Sequence, residues 1–324
     1  MQSEDDSTAE SYLRNKAVTL GRRTRLIICL MRWLLRPWLS FMLSGSHKRI
    51  ARLQLRMAAQ PCRDTAALTQ DYRVLGRVPG HTVGDIDNTE APVLLYLHGG
   101  AFILPAVPAT HLTLVAKLAR SIGGSGFLPD YRLAPFNRHP AALDDCENAY
   151  RALLERGFDA RRIVVAGESA GGNLLLGLLQ RIRAAGLPMP AGAAAISPAT
   201  EMGRIHAPPS RARFRKSDPI LPAEALHRID PLYAGGHDAS DPELSPLYMD
   251  LDGLPPIFMQ TSDAEILLDD TLLLGRRMYE AGVEVRVDVW PGLPHAFPLF
   301  EAIFPEVQQA RQDIADFLRS CLRH

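Results

Sequence analysis

Cysteine is scarce and scattered in this chain of 324 residues. Cys29, Cys62, Cys146 and Cys321 show neither Cys-x-x-Cys pairing nor the density of a disulfide-stapled secreted domain, so reduced thiols in a cytoplasmic protein are expected. Net charge is missing as well. The 36 Lys and Arg balance 36 Asp and Glu, which leaves no electrostatic case for nucleic acid or another strongly charged partner. The start, Met1-Gln2-Ser3-Glu4-Asp5-Asp6, lacks the basic flank that a cleavable secretory signal needs before its apolar core. A long uninterrupted apolar run is also lacking. Residues 26–43 come nearest, but Arg32, Arg36 and Pro37 break them, which argues against a spanning helix and for an amphipathic pair kinked near Pro37.

One absence is local. Between residues 11 and 63 there is no Asp or Glu, while Arg and Lys recur from Arg14 to Arg56. Two readings compete for this basic, apolar segment: helices that cap an active site, and an interfacial anchor lying on a membrane with Trp, Phe and Leu opposite Arg. One set of helices can serve both.

Beyond Arg73 the pattern changes to short apolar runs alternating with helical periods. Residues 93–97, 163–166, 193–196, 257–260 and 283–289 read as strands, several continuous enough to be buried on both faces. Helical spacing occupies 111–122, 141–156, 173–185, 270–281 and 305–322. Strict alternation implies an α/β fold with a mostly parallel central sheet covered by helices on both faces. Residues 200–230, rich in Arg, Pro and Ser without a clear period, read as an excursion beside the cap. The expected organisation is a helical cap segment over 1–72 and a catalytic domain over 73–324, with 200–230 contributing to the cap. Apart from the first ten or so residues, nothing suggests a disordered tail, a repeat or a low-complexity tract.

The chemistry begins at Gly167-x-Ser169-x-Gly171, which follows one strand and opens a helix. A strand turning sharply into a helix strains the backbone at the nucleophile, and glycines two residues either side remove side chains that would clash. Unpaired N–H groups at the helix start favour developing negative charge, so the N–H of Ala170 is a candidate oxyanion donor. A second source is His98-Gly99-Gly100-Ala101, directly after the strand at 93–97. A serine nucleophile needs a base oriented by a carboxylate, in the chain order Ser, acid, His. His295 stands between the last strand and the last helix, where this architecture places its base. The loop after 257–260 offers Asp263, Glu265, Asp269 and Asp270. The last two suit a helix start, and spacing alone leaves Asp263 and Glu265 both open.

At this point the chain resembles the hormone-sensitive-lipase-like branch of the α/β-hydrolases, which includes bacterial carboxylesterases and arylacetamide deacetylases. The resemblance runs from about Val93 to the C-terminus. It rests on His98 to Ala101, Asp130-Tyr131-Arg132-Leu133-Ala134-Pro135, Gly167 to Gly172, Ser245-Pro246-Leu247 with Leu254-Pro255-Pro256, and His295-Ala296-Phe297. It implies Gly100 and Ala101 as oxyanion donors beside Ala170, and it puts Glu265 in the acid's place, a Glu where the family usually has Asp. Asp263 stays in reserve. Ala101 and Ser262 stand where the family normally has Gly, and the strand at 124–129 holds more Gly and Pro than a central strand usually does.

The resemblance implies ester hydrolysis of small-molecule substrates through a Ser-acid-His triad and an acyl-enzyme, with no metal and no cofactor, and the mostly apolar composition of the cap favours short to medium acyl chains. Its alternatives are an amide deacetylase or a membrane-associated lipase. An inactive ligand receptor, as the plant gibberellin receptors are within this same resemblance, is disfavoured because His295 is present. Peripheral membrane contact through the basic N-terminal segment, and a homodimer, stand as further expectations.

Overall fold

The computed structural model describes residues 11–43, 46–62, 64–202 and 208–323. The first ten residues, expected as a tail with no secretory signal, lie outside them. Nine strands form one sheet: β1 Leu13–Asn15, β2 Gln70–Leu75, β3 Val78–Val83, β4 Val93–Leu97, β5 Ser125–Pro129, β6 Ile163–Glu168, β7 Gly192–Ile196, β8 Ile257–Ser262 and β9 Val285–Trp290. Their order is β1-β9-β8-β7-β6-β4-β5-β3-β2, parallel from β1 to β5 and antiparallel only at the β3 and β2 edge.

The five strands expected from apolar runs are all present. Alternate residues of β4 face opposite layers. Val93, Leu95 and Leu97 pack toward α5 (Ala141–Glu155) and α6 (Ala170–Ala184), whereas Leu94 and Tyr96 pack toward α4 (Thr113–Ile122) and α10 (Gln308–Cys321). Burial on both faces is why these strands read as continuous apolar runs. The β2–β3 hairpin was not read from the sequence, since β2 exposes most of its length. Nor was β1, a three-residue edge strand inside the segment expected to be helical.

The glycines of β5 have a physical reason. A Cβ on Gly124 would sit 1.9 Å from the carbonyl oxygen of Pro92, and one on Gly126 would sit 2.8 Å from Val115. Just before the strand Gly124 is pressed by the backbone leading into β4, and within it Gly126 lets α4 approach the sheet too closely for a side chain. Pro129 ends the strand.

The N-terminal helices are α1 (Arg22–Leu30), α2 (Arg36–Leu43) and α3 (His47–Ala58), with a π-helical turn at Met31–Leu35 joining the first two. The break expected near Pro37 takes that form: the N–H of Arg36 reaches back five residues to Met31 O, just ahead of a residue that has no N–H to donate. Among the described residues no helix is long and apolar enough to cross a membrane.

The stretch 200–230, expected to be irregular, instead holds α7 (Pro209–Arg213) and the start of α8 (Ala223–Ala234). Its period was hidden because α7 is a short helix packed on α9, while α8 contains Pro231 and packs on α2. Residues 203–207 lie outside the described set. Helix α9 (Leu268–Glu280) completes the fold, with Asp269 and Asp270 in its first turn as expected.

Candidate active site

Ser169 sits between β6 and α6 with φ 57° and ψ −120°, a conformation that side chains rarely adopt. The neighbouring glycines make the turn sterically attainable. A Cβ on Gly167 would lie 2.5 Å from Gly171 O, and one on Gly171 would lie 1.9 Å from Leu97 O. The start of α6 therefore presses directly on the end of β4, bringing the loop after β4 against the serine. A Cβ on Gly99 would lie 3.0 Å from the Ser169 Cβ.

That loop turns through three residues with positive φ, Gly100 (116°), Ala101 (55°) and Phe102 (61°). Ala101 lies in the left-handed region that an Ala side chain can occupy at a cost of about 1 kcal/mol, so the missing glycine is accommodated. Among the described residues, the N–H groups of Gly100 and Ala101 donate to no protein acceptor. Bracing comes from the Asp130–Pro135 motif. The Tyr131 hydroxyl donates to His98 O (2.6 Å), its ring stacks on the His98 imidazole at 4.1 Å, and the Ala134 N–H donates to Phe102 O. Burial, aided by nearby His111, lowers the His98 pKa to about 4, so this imidazole is neutral and structural.

His295 follows β9, and its Nδ1 lies 2.5 Å from Glu265 Oε2. Glu265 is fully buried at the end of β8 and folds back on its own strand. Its Oε1 accepts from Thr261 Oγ1 (2.6 Å), the Ser262 N–H (2.8 Å) and Ser197 Oγ (2.7 Å). Burial alone would raise this carboxyl's pKa, but the charge and hydrogen bond of His295, with Thr261 and Ser262, outweigh it and hold the pKa below its ordinary value. Conversely, burial would lower His295, yet Glu265 raises it overall. Asp263 is exposed and accepts from the Gly292 N–H (2.7 Å), away from the imidazole. With Nδ1 engaged, Nε2 is buried with no partner among the described residues.

Ser169, Ala170, Gly100, Ala101 and His295 line one cavity of about 190 Å³, with Glu265 behind His295. The rest of the wall is almost wholly apolar: Leu39 and Leu43 of α2, Ile220, Leu221 and Ile229 at α8, Leu267, and Leu299 with Phe300. Buried Asp218 ties these parts together. It accepts from the N–H groups of Ile220 (2.8 Å) and Leu221 (2.7 Å) in the wall and of Ile266 (2.9 Å) beside Glu265; burial raises its pKa to about 6.

Sequence reasoning missed several supporting residues. Ser197 and Thr261 hold Glu265, and Ser262, in the place of a glycine, donates its hydroxyl to Leu293 O (2.6 Å) two residues before His295. Glu168 and His111 form a second buried pair, with Nε2 2.9 Å from Oε1, and Glu168 also accepts from the Gly99 N–H. The only signal for Glu168 was a carboxylate at the buried end of a strand. No cluster among the described residues is suited to hold a metal ion.

Residues 94–299 match the family model described as alpha/beta hydrolase fold. An acetyl-hydrolase from Streptomyces hygroscopicus is 36% identical over 227 residues, covering 70% of this chain and 75% of the relative. The carboxylesterase/phospholipase LipF of Mycobacterium tuberculosis is 35% identical over 263 residues, covering 79% and 69%. Among solved structures, an esterase from the bacterial hormone-sensitive lipase family superposes with a TM-score of 0.81 at 31% identity, covering 94% of this chain and all of that one. A strained serine between β6 and α6 facing a buried histidine–carboxylate pair, on a chain with these relatives, belongs to the α/β hydrolase fold family, as a serine carboxylesterase of its hormone-sensitive-lipase-like branch.

Proposed function

We propose that Ser169, His295 and Glu265 are the nucleophile, base and orienting carboxylate of this carboxylesterase, and that the N–H groups of Gly100, Ala101 and Ala170 hold the oxyanion. Ser169 Oγ attacks the ester carbonyl carbon as its proton passes to His295 Nε2, and the carbonyl electron pair moves onto oxygen. When the tetrahedral species collapses, the bond to the alcohol oxygen breaks and the alcohol leaves with the proton from Nε2. Water then repeats the sequence on the acyl-serine and releases the acid. Glu265 keeps the proton of His295 on Nδ1 in the resting state and stabilises the imidazolium that forms. The observation that carries this reading is the His295–Glu265 pair in a cavity shared with the Ser169 elbow.

The cavity is smaller than the roughly 300–1,000 Å³ of pockets for drug-sized ligands, and its wall is apolar. Both features favour small-molecule esters with short to medium acyl chains. Residues 1–72 with 200–230 are read as the cap that supplies much of this wall, and 73–324 as the catalytic body. A cytoplasmic enzyme in peripheral contact with a membrane is favoured by the exposed apolar residues of α1 and α2, and a relative named carboxylesterase/phospholipase fits it. Rates on a p-nitrophenyl ester series, for wild type and Ser169→Ala with unchanged circular dichroism, test the assignment. The expected loss is about 10⁴-fold or more, with a maximum at short to medium chains. Equal rates in both proteins would sink it.

A further inference from the structure

The N-terminal helices are apolar on two opposite faces. Inward, Met31, Leu35 and Leu39 pack against Trp290, Phe297 and Phe304. Outward, Leu26 (61% exposed), Leu30, Trp33 (68%), Leu34 (66%), Trp38 and Phe41 recur every three to four residues and stand in solvent. Spacing of this kind makes a continuous stripe along one side of a helix. Six large side chains, two of them Trp, exceed the scattered exposed apolar residues of an ordinary surface.

The charged side chains of residues 11–63 have one sign, and the carboxylates nearest them are engaged, Glu306 by Gly21 and Thr24, Glu224 by Arg215. Arg22, Arg23, Lys48, Arg52 and Arg56 are exposed, and none of them is in an ion pair among the described residues. Arg49 lies over the Phe41 ring at 4.5 Å, so a cation and an aromatic face share one spot.

We propose that the outer face of α1 and α2, with the basic residues of α3, docks this enzyme on an anionic lipid bilayer. The Trp, Leu and Phe side chains enter the headgroup boundary while the Arg and Lys groups meet lipid phosphates. A second copy of the chain fits the stripe poorly. A two-fold interface would set the same patch against itself, and between residues 11 and 63 there is no carboxylate to meet the partner's cations. Helix α2 then touches lipid on one side while Leu39 and Leu43 line the ester pocket on the other, which suits esters dissolved in the bilayer. The docking itself holds whichever ester is cleaved.

The test is sedimentation of the full chain with phosphatidylcholine vesicles, with and without phosphatidylglycerol, beside a Trp33→Ser/Leu34→Ser variant. Neither residue lines the pocket, so hydrolysis of soluble p-nitrophenyl butyrate reports that the variant is folded. Wild type should bind the phosphatidylglycerol vesicles, and about 0.5 M NaCl should release much of it by screening. The variant should bind about tenfold or more weakly, with hydrolysis of the soluble ester unchanged. No binding by wild type, or equal binding by both, overturns the proposal. So does a dimer in solution that the substitutions convert to monomer with no vesicle binding in either protein. Loss of soluble-ester hydrolysis in wild type would count against the triad reading and leave the vesicle result standing.

Discussion

Two buried glutamates, Glu265 behind His295 and Glu168 behind the oxyanion loop, are built alike. Each is almost wholly removed from solvent, each meets an imidazole and each accepts a backbone N–H. In each case burial would raise the carboxyl pKa, and the partner histidine, with the hydrogen bonds, lowers it instead. They differ in what the histidine does next. His295 keeps Nε2 for the cavity, whereas the Nδ1 of His111 accepts from the Val107 N–H (2.8 Å) and its Nε2 is spent on Glu168. In the proposed mechanism the first pair moves a proton to and from substrate, while the second, with no nitrogen left over, braces the Gly99–Ala101 loop. The same ion pair thus serves chemistry or scaffolding according to whether a nitrogen is left over.

The largest expected effect breaks the pair proposed to move protons. Glu265→Gln keeps the size and removes the charge, and kcat should fall about 10³- to 10⁴-fold, while Asp263→Ala stays near wild type. The opposite ranking would overturn the choice of acid. The pH profile of kcat/KM adds a sign. His295 must be neutral to accept a proton and Glu265 raises its pKa, so the acid limb of wild type should lie above the ordinary imidazole value of about 6.5. In Glu265→Gln that limb should move down, because the largest charge opposing burial is gone and only Asp218 and Glu168 still act against it. A smaller effect is expected at the scaffolding pair: Glu168→Gln should lower kcat by about 10- to 100-fold with KM little changed, and cost about 1–3 kcal/mol in thermal unfolding. An acid limb shifted as far as in Glu265→Gln would mean that Glu168 tunes the base and that the two pairs are not distinct. The smallest concerns Ala101→Gly. Relief of left-handed strain offsets the greater freedom of glycine in the unfolded chain, so kcat should change less than about threefold and stability less than about 1 kcal/mol.

The two pairs were also unequally legible. Ser169 and His295 could be named because an elbow and a histidine after the last strand are fixed by chain order, and the five buried strands could be named because burial on both faces leaves unbroken apolar runs. Glu265 could be separated from Asp263 only through the family resemblance. What distinguishes them is the fold-back of one side chain onto Thr261 and Ser262, which spacing does not encode. His111 and Glu168 lie 57 positions apart and meet only because the helical turn Pro108–Leu112, which runs into α4, is carried beside β4. The helices of 200–230 were unreadable for a related reason: α8 packs on α2 and α7 on α9, and both line the pocket, so no sheet-facing period marks them.

The close approach of Gly171 to the end of β4 sets Ser169 and the proposed oxyanion loop against each other through backbone. The apolar wall of the pocket is built elsewhere, on α2, beside α8 and at Leu299 and Phe300. On the proposed mechanism reaction and selection reside in separable parts of the molecule, so remodelling the wall would change acyl preference while the bond-breaking machinery is inherited intact.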